Sequence, residues 1–109
     1  MISNLEFTYI GKNNSLKGEF LFKNETKIAG KIEGIIKVEN ESKITLEIGS
    51  FVLGTIEAHH IDIYGDFEGE LTSSGLVSIF PTANVYGKIK AHAIEVLPGA
   101  NLNMIGHTE

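Results

Sequence analysis

The chain has no cysteine, only two prolines and no run of Lys or Arg. Without cysteine it can form no disulfide, no thiolate metal site and no thiol nucleophile, a composition that suits the cytosol. Nine Lys and Arg face fourteen Asp and Glu, with the signs interspersed and a net charge of −5. Nucleic-acid binding needs a basic footprint to displace counterions from phosphates, so no nucleic-acid partner is expected. A polybasic membrane patch is disfavoured for the same lack of clustered cations. The longest uncharged run, Leu71–Gly87, is broken by Thr, Ser, Pro and Asn, so no bilayer-spanning helix is expected there. The opening MISNLEFTYIG has neither the basic start nor the continuous apolar stretch of a signal peptide. The expectation is a soluble, cytoplasmic domain.

Helical periodicity is nearly absent too. In its place, apolar and polar residues alternate in short bursts: Ile36 and Val38, Ile44, Leu46 and Ile48, Ile61 and Ile63, Val77 and Ile79, Ile94 and Val96. Period two with β-branched residues on one face is the signature of a strand. Pro81 and Pro98 each follow such a burst, where a turn is expected. With 109 residues, 42% of them hydrophobic, the chain can build one modest core.

A unit of apolar–x–Gly–x–apolar recurs around Gly18, Gly30, Gly54, Gly65 and Gly87, at steps of 12, 24, 11 and 22 residues. The strongest self-match has a spacing of 33 and pairs VLGTIEAHHIDI (Val52–Ile63) with VYGKIKAHAIEV (Val85–Val96). Six of the twelve positions are identical, as in a solenoid. Six faces of five or six residues in 33 predict three faces and about sixteen or seventeen residues per turn, hence about five turns of stacked parallel strands. The repeat frame is Gly30, Ile32, Val52, Gly54, Ile56, Ile61, Ile63, Gly65, Val85, Gly87, Ile89, Ile94 and Val96. The oversized step from Gly30 to Gly54 places a surface bulge at ENESK, Glu39–Lys43.

These units, in the order LKGEF, IAGKIEG, LEIGSFVLGTIEAHHIDIYGDFEG and VYGKIKAHAIEVLPGANLNMIG, resemble the bactofilin family over about Phe7 to Gly106. The resemblance implies an all-β, single-domain, right-handed parallel β-helix of triangular section. It implies subunits that join end to end, without nucleotide, into non-polar cytoskeletal filaments in a bacterium. It further implies roles in cell shape or in scaffolding wall-modifying and polar proteins, often at the inner face of the cytoplasmic membrane. The sequence shows no Pro-rich or charged flank of the kind common in the family, which weakens the case for a membrane contact. Residues 16–105 are assigned to the β-helix, 1–15 to a tail or first strand and 106–109 to a tail.

The candidate site residues divide into those of corners, flanks and ends. His59 and His92 fall at equivalent positions, but an offset of 33 is two turns, or about 10 Å, too far for one zinc with bonds of ~2.0 Å. His59 and His60, as neighbours on a strand, are expected on opposite faces. No metal or cofactor is expected. Asp66, Glu68 and Glu70 should line one solvated outer face rather than a catalytic cleft. Tyr64 and Tyr86, each just before a unit's Gly, should both point outward. Neither end shows an obvious polar cap, so Leu16, Phe20, Leu21 and Phe22 at one end and Leu97, Leu102, Met104 and Ile105 at the other are the self-assembly candidates. Residues 1–15, with Leu5, Phe7 and Tyr9 alternating, could instead fold back over the first end. Two further readings compete with a filament subunit. One is a β-helical enzyme of hexapeptide-repeat type, an acyltransferase or a metal-dependent hydratase, which needs strict six-residue periodicity. The other is a monomeric protein-binding module using the flank with Tyr64 and Tyr86.

Overall fold

The computed structural model describes the backbone of residues 7–108 and the side chains of residues 8–103. Its strands are β1 (Phe7–Ile10), β2 (Ser15–Phe22), β3 (Glu25–Ile28), β4 (Lys31–Val38), β5 (Lys43–Leu46), β6 (Phe51–Ala58), β7 (His60–Ile63), β8 (Asp66–Ser73), β9 (Leu76–Ile79), β10 (Asn84–Ala91), β11 (Ala93–Val96) and β12 (Asn101–Thr108). The four-residue odd strands form one parallel sheet and the eight-residue even strands another, each stacked in chain order. One short and one long strand make a rung, and six rungs stack as a β-solenoid. The chain is all-β across the described residues, as the periodicity predicts.

The long strand covers two sides of each rung because it bends at its centre. Gly18, Gly34, Gly54, Gly69 and Gly87 lie side by side in register. Each has φ between +125° and +141°, a region that residues with a β-carbon avoid. The short strand supplies the third side. At Gly54 a β-carbon would also overlap the carbonyl oxygen of Gly34, so the bend needs glycine for space as well as for φ.

Inward side chains stack in columns, rung on rung. Ile32, Val52, Phe67 and Val85 form one column, and Ile36, Ile56, Leu71 and Ile89 a second. Ile28, Leu46, Ile63 and Ile79 line the short-strand side. All are essentially out of water. Each such side chain contributes about 1.5–3 kcal/mol by burial.

The rungs differ in length at their corners. Successive positions along the bend are 16, 20, 15, 18 and 17 residues apart. Where a short strand leads into a long one, the link is a four-residue turn at 11–14, 47–50, 80–83 and 97–100, each closed by a hydrogen bond from its last N–H to its first carbonyl. Pro81 and Pro98 occupy the second position of two of these turns, where fixed φ is favoured. The same link is only two residues at Ala29–Gly30 and Tyr64–Gly65. There the short link presses on the turn beneath, and a β-carbon on Gly65 would run into the carbonyls of Glu47 and Ser50.

Gly30 and Gly65 therefore stand at a different corner from Gly18, Gly54 and Gly87. The single repeating unit expected from sequence merges two structural positions, and Gly34 and Gly69 are the bend residues it overlooks. The ENESK bulge is present: residues 39–42 form the longest link between a long strand and the next short one, with Asn40 and Glu41 both at positive φ.

Candidate self-assembly ends

Exposure of inward-facing residues on the long strands changes abruptly at the two ends of the stack, whereas Ile10 on β1 stays buried. Leu16 shares a column with Ile32 and Val52, yet it is 36% exposed where they are fully buried. Leu102 continues the same column beyond Val85 and is 37% exposed against 1%. Phe20 and Phe22 are half-buried, with ring centroids 6.0 Å apart, and complete the apolar section of the N-terminal end. Leu21 alternates with them, is 54% exposed and heads the outer column that continues to Lys37. At the other end Ile94 and Leu97 are half-buried and Val96 is exposed, although both frame residues of β11 belong to columns buried elsewhere. Met104 and Ile105 pair with Gly87 and Lys88 along β12, and their side chains lie outside the described residues.

The ends also leave backbone unpaired among the described residues. β1 and β2 have sheet neighbours on one side only, as do β11 and β12. An edge strand offers a row of N–H and C=O groups to any strand that can align with it. Phe7–Ile10 is thus the short strand of the first rung, stacked parallel on β3. Leu5 and the side chain of Phe7 lie outside the described residues.

The corner histidines are held by local hydrogen bonds. His59 Nδ1 and Ser74 Oγ are 2.9 Å apart, and the Leu76 N–H donates to His60 Nδ1 at 3.1 Å. Their rings meet edge to face with centroids 4.3 Å apart. The expectation that they point to opposite faces fails because the chain turns at His59, between β6 and β7, rather than running straight. Ser74 stands on the rung between His59 and His92. Among the described residues no group of three or more His, Asp or Glu is placed to hold a metal ion.

On the flanks, Gly69 bends β8 between Glu68 and Glu70, so Asp66 and Glu68 share one side of the prism and Glu70 lies on the next. Tyr64 and Tyr86 are not equivalent either. Tyr64 sits at a corner and stacks on Phe80 (4.1 Å, 10°), whereas Tyr86 lies mid-strand and is 52% exposed. A groove of about 750 Å³ runs beneath the 39–42 bulge, lined by Lys37, Glu57, His59, Thr72 and Lys90 among others. The mixed charges of that lining favour no single sign of ligand.

Compared with protein-family models, residues 8–106 match bactofilin, described as polymer-forming cytoskeletal. The chain belongs to the bactofilin family. Searches of curated proteins and of solved structures returned no match. The bactofilin match spans all but the outermost residues of the described stack. Bactofilins are a structural, polymer-forming family. No helix among the described residues is long and apolar enough to cross a membrane.

Proposed function

We propose that this bactofilin is a structural subunit, not an enzyme, that assembles end to end into filaments without nucleotide. The observation that carries this is the exposure of Leu16 and Leu102, members of a column that is fully buried between them. Bringing two ends together continues both sheets by strand pairing and removes apolar surface from water, at about 25 cal/mol per Å². The contact residues are Leu16, Phe20 and Phe22 at one end, with Leu21 left on the outer flank, and Leu97, Leu102, Met104 and Ile105 at the other. Backbone pairing and apolar contact supply the whole driving force, and the sequence has no P-loop or dinucleotide fingerprint. The bactofilin resemblance supports a filament that scaffolds cell shape or wall-modifying proteins from the cytoplasm of a bacterium.

Leu102→Arg and Phe22→Arg test the reading. Each places a charge in the end section, and both variants should keep the β circular-dichroism spectrum and cooperative melting while losing the sedimenting polymer. Assembly of both variants at the wild-type protein concentration would rule out the ends as the contact.

A further inference from the structure

We propose that the groove beneath the 39–42 bulge docks an extended peptide of a partner protein. The peptide carries a basic side chain at the bulge end of the groove and an acidic one at the far end. The groove lies on a flank of the prism, so this inference stands apart from the end-to-end contact.

The groove follows from the lengths of the links that lead from each long strand into the next short one. In chain order these links are two, four, one, two and one residues long. Residues 39–42 therefore project over a corner that the chain turns with His59 alone, and two rungs on with His92 alone. The overhang walls a hollow of about 750 Å³, within the size range of ligand sites. Asn40 holds the overhang in place, because its Nδ2 donates to the Lys23 carbonyl at 2.6 Å. The wall is thus built before a ligand arrives, which lowers the ordering cost of binding.

Charge is sorted along the groove. Lys37, Glu57, Thr72 and Lys90 stand in register along one side of it, one per rung. Lys37 Nζ and Glu57 Oε1 are 3.9 Å apart and offset each other. At the bulge end the further charges are acidic, Glu39 and Glu41, and at the far end Lys90 is basic, beside His92. Three rung steps separate the two ends, about 14 Å at ~4.8 Å each. Four residues of extended chain span the same distance, and side chains at i and i+4 share a face. A ligand of one sign meets repulsion at one end or the other. A peptide with Lys or Arg at one position and Asp or Glu four residues away meets opposite charge at both. Between them the exposed Thr72 hydroxyl offers a hydrogen bond to its backbone.

The test uses the full chain and four fluorophore-labelled peptides with blocked ends. Two are dipolar, Lys-Ser-Ser-Ser-Glu and Glu-Ser-Ser-Ser-Lys, and two carry one sign, with Lys or Glu at both ends. Fluorescence anisotropy at low salt should show a dipolar peptide binding about tenfold tighter than either single-sign peptide. Glu39→Lys combined with Glu41→Lys should reverse the preference to the peptide with Glu at both ends. Lys90→Glu should reverse it to the peptide with Lys at both ends. A merely structural role for these side chains would lower the melting temperature without redirecting the preference. Equal binding of all four peptides, or none up to ~1 mM, overturns the proposal and leaves the end-to-end reading standing. An unchanged preference in both variants overturns it too. Loss of polymer in either variant at an unchanged melting temperature would seat a second copy in the groove and overturn the peptide as occupant. Should a variant fail to fold, the wild-type comparison of the four peptides decides alone.

Discussion

Gly54 sits where two demands meet, a backbone at φ +138° and a neighbouring carbonyl in the space of a β-carbon. Either demand alone costs of order 1–3 kcal/mol when violated, and neither can relax without shifting Gly34 in the rung beneath. Gly54→Ala is therefore expected to destabilise the subunit by about 4 kcal/mol or more, read as a lowered urea midpoint. Along the long strands the same kind of substitution divides by position. Ile56 is fully buried, so Ile56→Ala should cost about 2–5 kcal/mol. Leu102, already 37% exposed in the subunit, should cost roughly 1 kcal/mol or less when truncated to alanine. Its larger effect should fall on assembly, and paired denaturation and sedimentation of the two variants separates these outcomes.

The element that repeats is the rung, and its outer surface is tied across rungs by side chains in register. Asn101 Nδ2 donates to Asn84 Oδ1 at 3.0 Å, and Asn84 Nδ2 donates to Asp66 Oδ1 at 2.9 Å. Like the amide ladders of other in-register parallel sheets, this one links three successive strands. Asn84→Ala removes both bonds, and a loss of roughly 1 kcal/mol in denaturant unfolding is expected, modest because the groups are exposed. The 39–42 bulge is held differently. Asn40 Nδ2 reaches back to the Lys23 carbonyl at 2.6 Å from a residue at φ +63°. Asn40→Ala loses that bond and puts alanine where asparagine is tolerated better, so about 1–2 kcal/mol should be lost. Much of the rung was legible in the sequence: period two marks Ile61, Ile63, Val77 and Ile79 as inward, and the 33-residue match of Val52–Ile63 to Val85–Val96 is two rungs. The roles of individual glycines were not. Apolar–x–Gly–x–apolar describes both the bend at Gly54 and the corner at Gly65, and what separates them is the atom beside the missing β-carbon. That atom lies a full rung away along the chain. Corner lengths were obscured likewise, because two- and four-residue links meet the same neighbours above and below.

For the whole molecule, what matters is that among the described residues neither end of the stack is covered. One interior column runs from Leu16 to Leu102 with every intermediate member buried, and its two outermost members meet water. The alternation of residues near each end identified those members, yet it placed Leu21 with them although Leu21 lies on the outer flank. Alternation marks which residues share a face and does not mark where the stack ends. A solenoid whose ends stay uncapped tends to continue, and in a polymer-forming family the natural continuation is another copy. The most direct measurement is negative-stain electron microscopy of the purified, untagged chain, without nucleotide and across a range of salt. Filaments that persist at high salt are predicted, since the contact is apolar and backbone-paired rather than ionic. Only single subunits at every salt concentration would contradict the account.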